Sequence, residues 1–506
     1  MPVLFFIIAL LFRIPGLARP TIMDEAKALL YATLPLKKLL DLLIVDSQPP
    51  LYFYILKFWS WISPDPFRLR LLTVFLGAFI CVLLFRIVKR LYGVPAANYA
   101  FIFAVLSPQL IFQSQYLRPY CMGTFFSILL VYLFIGFMYD EKRQLLYVGI
   151  LGLVTAFCLY SFYMSIFIVA AMNIFALYFF WKRKEKLLCW IGSQAIAMAL
   201  FSFWFPVFML QKRLVEEGLT CHLLEINNAG IGFYVGKIHA GDLIRVAMAY
   251  LHFDDILGEG RRYSEYIKNV PVFLAVMSAF GALIAACVVR GARAMFKTER
   301  VKGASLLLVL LMLVPAISFI ALSVGGDLGL WGYAVVNIRY FSQSSIYALV
   351  LLAVFLAGIT NRLLKRAFFS AIIIIFILLD LNIYRHPMEI YRPAVKYLSD
   401  AGRNCRVVVL GPHNALAFHN PFSDKRFSDY ILLEYDADKK TTRAVKEKIG
   451  SIDKLYFYYF KSAETMVLFP DLDTKFEKFI GGLGFVKKKT RKINDILFIS
   501  YFERRR

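Results

Sequence analysis

Residues 70–90 read RLLTVFLGAFICVLLFRIVKR, an apolar run that ends among basic residues. A run of this length and composition is typical of a helix that crosses the hydrocarbon core of a bilayer. Similar runs recur along the chain, and we predict roughly eleven spans, at 2–18, 70–88, 97–112, 119–138, 145–160, 162–180, 187–209, 270–290, 304–323, 342–360 and 367–384. The sequence therefore predicts an α-helical polytopic membrane protein with about 11–13 transmembrane helices.

The composition excludes several classes of protein. Of the 506 residues, 60% are hydrophobic and only 18% are charged. So few charged groups cannot cover the surface of a soluble enzyme of this size, and the apolar fraction is too high for a disordered chain or a fibre. An integral membrane protein is the class that remains.

The excess of basic residues indicates topology. The chain has 58 Lys and Arg against 34 Asp and Glu, a net charge of +24 that would point to nucleic acid in a soluble protein. Here the basic residues recur between alternate spans, as Arg86, Lys89 and Arg90, Lys142 and Arg143, the run 182–186, the cluster 290–302, and Arg362, Lys365 and Arg366. Cytoplasmic loops are rich in Lys and Arg, so we predict a multi-pass protein of the inner (plasma) membrane with a cytoplasmic N-terminus. Its surroundings are then membrane lipids, and no nucleic-acid partner is required.

This topology divides the chain into two predicted domains. Residues 1–384 form the transmembrane domain, with external loops at 19–69 and 211–268. Residues 385–506 form a small extracytoplasmic α/β domain, because strand signals at 406–411, 430–435, 454–460 and 495–502 alternate with helical stretches near 441–449 and 470–480. The seven cysteines and six histidines have no metal-ligand spacing, so no cofactor is predicted. A divalent metal stays open, without ligand spacing to support it.

Polar residues that could carry chemistry gather on the external loops. The mid-span stretches are nearly free of ionisable residues, whereas Asp24 and Glu25 follow the first span directly. The rest of that loop is amphipathic and broken at Pro35, which predicts helices that lie in the interface plane. Neighbouring residues on a helix point about 100° apart, so only one of the two carboxylates is expected to face a substrate. The alternative is an acidic pair that stabilises a helix N-terminus.

Two further stretches bring cations to the same boundary. Arg118 lies in the connection between the third and fourth spans, and Arg339 lies just before the tenth. Together with Lys27, these arginines are the external cations available to bind a lipid phosphate. Ordinary interfacial anchoring of Arg and Tyr side chains is the alternative.

The order of these motifs resembles a known class of enzymes. Asp24-Glu25, Gln48-Pro-Pro-Leu-Tyr52, Ser114-Gln-x-x-Arg118-Pro-Tyr120, Arg339-Tyr340 and the stretch 384–397 look like the GT-C class of membrane glycosyltransferases. The branch they resemble contains the protein O-mannosyltransferases and the lipid A aminoarabinose transferase. Gln48 and Tyr116 depart from it, standing where relatives commonly have His and Glu. The resemblance implies the GT-C fold.

The resemblance also implies a reaction. Such enzymes move a sugar from a polyprenyl-phosphate donor to an acceptor glycolipid, glycan or protein on the outer face of the membrane, usually with inversion. It gives Asp24 the role of catalytic base, with Glu25 beside it in the acidic pair. The predicted residues for the donor phosphate are Lys27, Arg118 and Arg339, and those for the substrates are Asp46, Gln48, Gln115, Tyr120 and Tyr340.

Two other functions stay open on the sequence. A secondary transporter or flippase for a lipid or sugar would have intramembrane charges and Gly/Pro-broken spans, neither of which is prominent. A catalytically silent relative would use the spans as a scaffold for the C-terminal domain. The intact acidic pair and its accompanying cations favour the enzyme.

Overall fold

The computed structural model describes most of the helical region and the strands near the C-terminus. The described residues are 2–18, 23–216, 290, 293, 296, 301–327, 341–385, 405–410, 430–433, 454–460, 477–478, 480–482, 484–492 and 497–504. The predicted span 270–290 and the predicted loop 211–268 lie almost entirely outside them.

Helices account for nearly all of the described residues up to 385. In chain order they are α1 Pro2–Leu11, α2 Met23–Thr33, α3 Leu36–Val45, α4 Leu51–Ser60, α5 Pro66–Leu106, α6 Pro108–Ser114, α7 Tyr120–Tyr139, α8 Gln144–Ser161, α9 Ser165–Phe180, α10 Lys184–Ser202, α11 Phe205–Glu216, α12 Lys302–Asp327, α13 Ser342–Gly358 and α14 Arg362–Arg385.

Several of these helices have the length and composition of membrane spans. Among the described residues, four pass both criteria, at Pro66–Leu106, Tyr120–Tyr139, Gln144–Ser161 and Lys302–Leu322. The bent pair Lys184–Ser202 and Phe205–Leu214, which turns through 64°, makes a fifth if it is one span. Shorter apolar helices are Pro2–Leu11, Ser165–Phe180 and Ser342–Gly358. The chain is therefore a multi-pass membrane protein.

The longest helix, α5, combines two of the predicted spans. It breaks at Gly93, whose φ of 84° and ψ of 178° are outside the range that side-chain-bearing residues readily adopt. The segments on either side of the break correspond to the predictions 70–88 and 97–112. The second prediction runs too far, because the helix ends at Leu106 and Ser107 caps the separate helix α6 by accepting a hydrogen bond from the N–H of Leu110 at 3.2 Å. Pro108 in the first turn of α6 suits this start.

The helices pack around α5, and the two ends of the bundle differ. Helix α5 contacts α1, α6, α7 and α13, while α8 packs against α7 and α10, and α12 against α9. At one end, here called the basic end, Arg90 lies over the ring of Tyr139 and Lys186 pairs with Glu141. Exposed basic residues surround these contacts, including Arg86, Lys89, Lys142 and Arg143. The grouping agrees with the predicted alternation of charge along the chain.

The first predicted loop folds into α2, α3 and α4 at the opposite end, here called the polar end. These helices bury an apolar cluster against α5 and α7, formed by Ala28, Leu29, Tyr31, Ala32, Leu39, Leu43, Tyr52, Phe53, Leu56, Leu69, Leu72, Leu117 and Met122. Pro35 separates α2 from α3, as predicted. Helix α4 begins at Leu51, after two prolines, and Ser47 before them adopts a left-handed turn with φ of 52°.

The C-terminal strands form one five-stranded mixed sheet. The strands are β1 Cys405–Leu410, β2 Tyr430–Leu433, β3 Lys454–Phe460, β4 Phe485–Lys492 and β5 Leu497–Arg504, in the order β2-β1-β3-β5-β4. Strand β1 is parallel to β2 and β3, and β5 is antiparallel to β3 and β4. Strand β4 was not predicted, because its lysine-rich sequence looks like a solvated stretch. An edge strand with many lysines resists pairing with other chains, which explains the composition.

Candidate active site

A buried ion pair between Glu25 and Arg70 lies at the centre of the polar end. The Arg70 Nε donates to Glu25 Oε1 at 3.2 Å and its Nη2 donates to Oε2 at 2.9 Å, with both side chains 0% exposed. The same carboxylate accepts a hydrogen bond from the backbone N–H of Leu117 at 3.1 Å, and Arg70 Nη1 donates to the carbonyl of Leu17 at 2.5 Å. The pair therefore ties the start of α2 to the segment after α1, to α5 and to the turn after α6.

A second buried arginine, Arg13, holds Ser114, the last residue of α6, just before this turn. Its Nε donates to Ser114 Oγ at 3.1 Å, Nη1 donates to the carbonyl of Ala9 at 2.9 Å, and Nη2 donates to Cys81 Sγ at 3.1 Å and to the carbonyl of Ala104 at 3.0 Å. The side chain is 0% exposed, so these bonds replace its hydration.

The Arg13 contact requires a glycine on α5. A Cβ on Gly77 would lie 2.0 Å from Ser114 Oγ and 3.0 Å from Arg13 Nε. The close approach of α6 to α5 at this point therefore depends on Gly77. Sequence analysis missed the roles of Gly77 and Arg13, because an arginine at the end of an apolar run looks like an interfacial anchor.

The turn 115–119 is fixed by these contacts, and it carries Arg118. Gln115 Nε2 donates to the carbonyls of Arg13 at 2.9 Å and Pro15 at 2.5 Å. The backbone N–H of Arg118 donates to the carbonyl of Tyr116 at 2.7 Å. The Arg118 side chain is buried, and its charge acts on Tyr52 of α4. Arg118, the residue predicted to bind the donor phosphate, therefore lies in a turn that is held at its start by Gln115 and in its middle by the backbone of Leu117.

The surroundings of Tyr52 show how compact this region is. Burial raises the pKa of the Tyr52 hydroxyl well above its usual value, Arg118 lowers it, and Glu25 raises it. Arg118 and Glu25 therefore both lie within electrostatic range of the Tyr52 hydroxyl. The structure thus brings together Glu25 and Arg118, two site residues that belong to separate sequence motifs.

Three other predicted substrate residues have described positions. Tyr120 packs in a buried aromatic cluster, with its ring 6.3 Å from that of Tyr116 and 5.4 Å from that of Phe162. Asp46 is fully buried at the end of α3, where its N–H donates to the carbonyl of Leu42 at 2.8 Å. Gln48 follows it, and its carbonyl accepts a hydrogen bond from the Gln211 side chain at 3.1 Å.

Four of the predicted site residues have side chains that lie outside the described part of the structure. Asp24 and Lys27 belong to α2, but their side chains are outside the described part of the structure, and Arg339 and Tyr340 lie outside the described residues altogether. Their roles stay predictions. In the described part of the chain, no group of three His, Cys, Asp or Glu side chains is arranged to hold a metal ion.

Sequence analysis also missed a polar junction between α13 and its neighbours. Gln343 Nε2 donates to Ser165 Oγ at 2.8 Å, and Ser345 Oγ donates to Gln109 Oε1 at 2.8 Å. A Cβ on Gly123 would lie 2.6 Å from Gln343 Nε2, so α7 approaches α13 closely at that point. The available signal was polar residues within otherwise apolar helices, which are costly in a membrane unless they have a role.

Comparison with known proteins identifies the fold. Residues 47–206 match the family described as dolichyl-phosphate-mannose-protein mannosyltransferase. The crystal structure of ArnT from Cupriavidus metallidurans in the apo state is similar, with a TM-score of 0.55 at 9% identity, covering 99% of this chain and 97% of that one. The same protein bound to undecaprenyl phosphate gives a TM-score of 0.52 at 10% identity, covering 98% and 97%. No curated protein matches the sequence. The similarity extends over nearly the whole chain, so the two proteins share a fold.

Proposed function

We propose, from the GT-C fold that this chain has, that it is an integral membrane glycosyltransferase which takes a sugar from a polyprenyl-phosphate donor. The family match at residues 47–206 and the ArnT structure bound to undecaprenyl phosphate support this class of donor. The observation that carries the proposal is the bond from Leu117 to Glu25, which holds the start of α2 against the turn that carries Arg118. An acidic residue and a phosphate-binding cation are what this chemistry needs side by side.

Within the acidic pair, we assign the base to Asp24 and a positioning role to Glu25. The Glu25 carboxylate is fully buried and binds Arg70 and the Leu117 N–H, so it is committed to holding α2 in place. With its oxygens engaged by these donors, the Glu25 carboxylate is poorly placed to take a proton from an acceptor hydroxyl group. Asp24 is the neighbouring carboxylate and is the one that we expect to meet the acceptor.

The reaction that we propose is a single displacement at the anomeric carbon. The acceptor hydroxyl oxygen attacks that carbon while Asp24 takes the hydroxyl proton, and the bond from the carbon to the phosphate oxygen breaks. The electron pair leaves with the lipid phosphate, and the configuration at the carbon inverts. Phosphate is a weak base, so no second acid is needed to protonate it. Neither a nucleotide nor an external energy source is required.

Negative charge that develops on the leaving phosphate needs a fixed cation. Arg118 is suited to this, because guanidinium binds phosphate in a bidentate manner and its turn is held by Gln115 and Leu117. We propose that Lys27 and Arg339 complete the set, and that Asp46, Gln48, Gln115, Tyr120 and Tyr340 surround the substrates. Gln115 contributes through its hydrogen bonds to the carbonyls of Arg13 and Pro15, in the segment after α1.

Activity measurements on four variants test these assignments. We expect Asp24→Asn to abolish transfer of radiolabelled sugar while leaving expression and the melting temperature unchanged. Arg118→Ala should raise the KM for the donor. Gln194→Ala is the matched control, because Gln194 is a half-buried amide on α10 that donates to the neighbouring Ser193 of the same helix. Near-normal turnover of Asp24→Asn, or loss of transfer in Glu25→Gln without any loss of stability, would move the base to Glu25.

We also propose that the polar end faces the outside of the cell and that transfer occurs there. The basic residues at the other end support this orientation through the usual enrichment of cytoplasmic loops. Trp61 is 70% exposed near the polar end, and Lys142 is exposed at the basic end. In a chain with Cys221 and Cys405 replaced by serine, a membrane-impermeant maleimide should label Trp61→Cys but not Lys142→Cys in intact cells. Labelling of Lys142→Cys but not of Trp61→Cys would show the opposite topology.

A transporter or flippase is the second candidate, and Arg13 is the observation that favours it. A buried arginine at a span end, with Asp380 of α14 within electrostatic range, is a feature that transporters use. Yet the four hydrogen bonds of Arg13 all go to protein atoms, which indicates a structural role. Uptake of labelled substrate by proteoliposomes, in the absence of any transferred product, would support the transporter.

A further inference from the structure

Four uncharged polar side chains are buried together on α6 and at the start of α13. Gln109 and Gln113 are 1% and 3% exposed, and Ser342 and Ser345 are both 0% exposed. The hydrogen bond from Ser345 Oγ to Gln109 Oε1, at 2.8 Å, joins the two helices. We call this group the amide–hydroxyl cluster.

Helix geometry extends the cluster one turn on each side of this bond. Gln113 follows Gln109 by four residues on α6, so the two amides lie on the same face. Ser342 precedes Ser345 by three residues on α13, which again places both on one face. Gln113 lies near the end of α6, shortly before the turn that carries Arg118. The next residue, Ser114, accepts a hydrogen bond from Arg13.

Much of the hydrogen-bonding capacity of the cluster is unused by the protein. Among the residues that the structure describes, neither polar atom of the Gln113 amide has a hydrogen-bond partner, nor do Gln109 Nε2 and Ser342 Oγ. For Gln109 the conclusion is the same for either orientation of the amide, because Ser345 meets only one of its two polar atoms. Native proteins rarely bury polar groups without partners, since leucine or alanine would avoid the cost of desolvation.

The chemistry of the cluster selects one kind of ligand. Amides and hydroxyls both donate and accept hydrogen bonds, as the hydroxyl groups of a sugar do. None of the four side chains carries a charge. A sugar with an ammonium or carboxylate group would bury that charge against them without an opposite partner, which is strongly unfavourable.

We infer that the amide–hydroxyl cluster binds the hydroxyl groups of the donor sugar, and that this sugar is uncharged. The inference rests on the proposed function, in which Arg118 holds the donor phosphate. Gln113 precedes Arg118 by only five residues, so we place the sugar attached to that phosphate beside the segment that contains Gln113. The phosphate then supplies binding common to all donors, and the cluster supplies discrimination among sugars.

Lipid binding to the full chain in nanodiscs tests this inference. The probes are polyprenyl phosphate, the same lipid carrying an uncharged hexose, and the same lipid carrying an amino sugar. The variants are Gln113→Leu and Ser342→Ala, with Gln194→Leu as the control. We expect the parent chain to bind the hexose lipid more tightly than the amino-sugar lipid. We expect each cluster variant to bind the hexose lipid about three- to tenfold more weakly, the loss of one or two neutral hydrogen bonds.

Two readouts separate a ligand role from a structural one. Binding of polyprenyl phosphate should be the same in the parent chain and all variants, and the melting temperature of Gln113→Leu should be equal or higher, because an unpaired amide is removed. A lower melting temperature with equal weakening for both lipids would overturn the inference, as would tighter binding of the amino-sugar lipid by the parent. If the parent chain binds none of the three lipids, the proposed function itself fails, and the inference with it.

Discussion

The losses of stability from replacing Glu25 and Arg70 one at a time should add up to more than the loss from replacing both together. Both side chains are fully buried, and the carboxylate receives three hydrogen bonds, at 3.2, 2.9 and 3.1 Å. Removal of either residue leaves the other charge buried without its ion-pair partner. Such losses cost about 3–5 kcal/mol of the free energy of unfolding. Replacement of both by apolar residues of similar size removes the stranded charge and should cost much less.

A double-mutant cycle measures this coupling. The variants are Glu25→Leu, Arg70→Met and their combination, and the free energy of unfolding is obtained by titration with SDS in mixed micelles. We expect each single variant to lose about 3–5 kcal/mol and the double variant to lose at least about 2 kcal/mol less than the sum of the two. Losses below about 1 kcal/mol for the single variants, or strict additivity, would refute the account of a buried pair that holds α2.

Two further predictions concern the same region. Gly77→Ala should lower the free energy of unfolding by about 1–3 kcal/mol, because the new Cβ would lie 2.0 Å from Ser114 Oγ and force α6 away from α5. The control is Gly149→Ala, whose Cβ would have no atom within 4 Å. In the same unfolding assay this variant should be neutral or slightly stabilising. Tyr52→Phe should leave the unfolding free energy at neutral pH unchanged or higher, because among the described residues the buried hydroxyl has no hydrogen-bond partner. Burial raises the pKa of Tyr52, so the folded chain keeps a proton that the unfolded chain loses above about pH 10. Stability should therefore fall above that pH more steeply in the parent than in Tyr52→Phe, and equal slopes would contradict the assignment.

Several predicted spans correspond to apolar helices of the described structure, because the signal for a span is local. Apolar runs and the basic residues between them are visible within any window of about 20 residues. The ends are less certain. The helix in the predicted span 97–112 stops at Leu106 because Ser107 and Pro108 start a new helix, and capping of this kind competes with hydrophobicity at the membrane boundary.

The buried contacts of the site could not be predicted in the same way. Arg70 binds a carboxylate 45 positions away, and Arg13 binds a hydroxyl 101 positions away. In the sequence both arginines stand at the edge of apolar runs, where snorkelling anchors are common. Only the fold shows that they point inward. The motifs therefore indicated which segments meet, and the structure adds what holds them together.

In the proposed reaction, the contacts of the polar end combine a rigid framework with a choice of substrate. Arg70 and Gln115 donate to carbonyls of the segment that follows α1. Arg13, which lies in that segment, donates to Ser114 of α6. A cation that stabilises a leaving phosphate is most effective when the folded protein has already fixed its position. In the proposed reaction, the buried charges of this framework fix the position of Arg118. Variation in the sugar can then be accommodated on α6 and α13, at Gln109, Gln113 and Ser342, without disturbing the framework that holds Arg118.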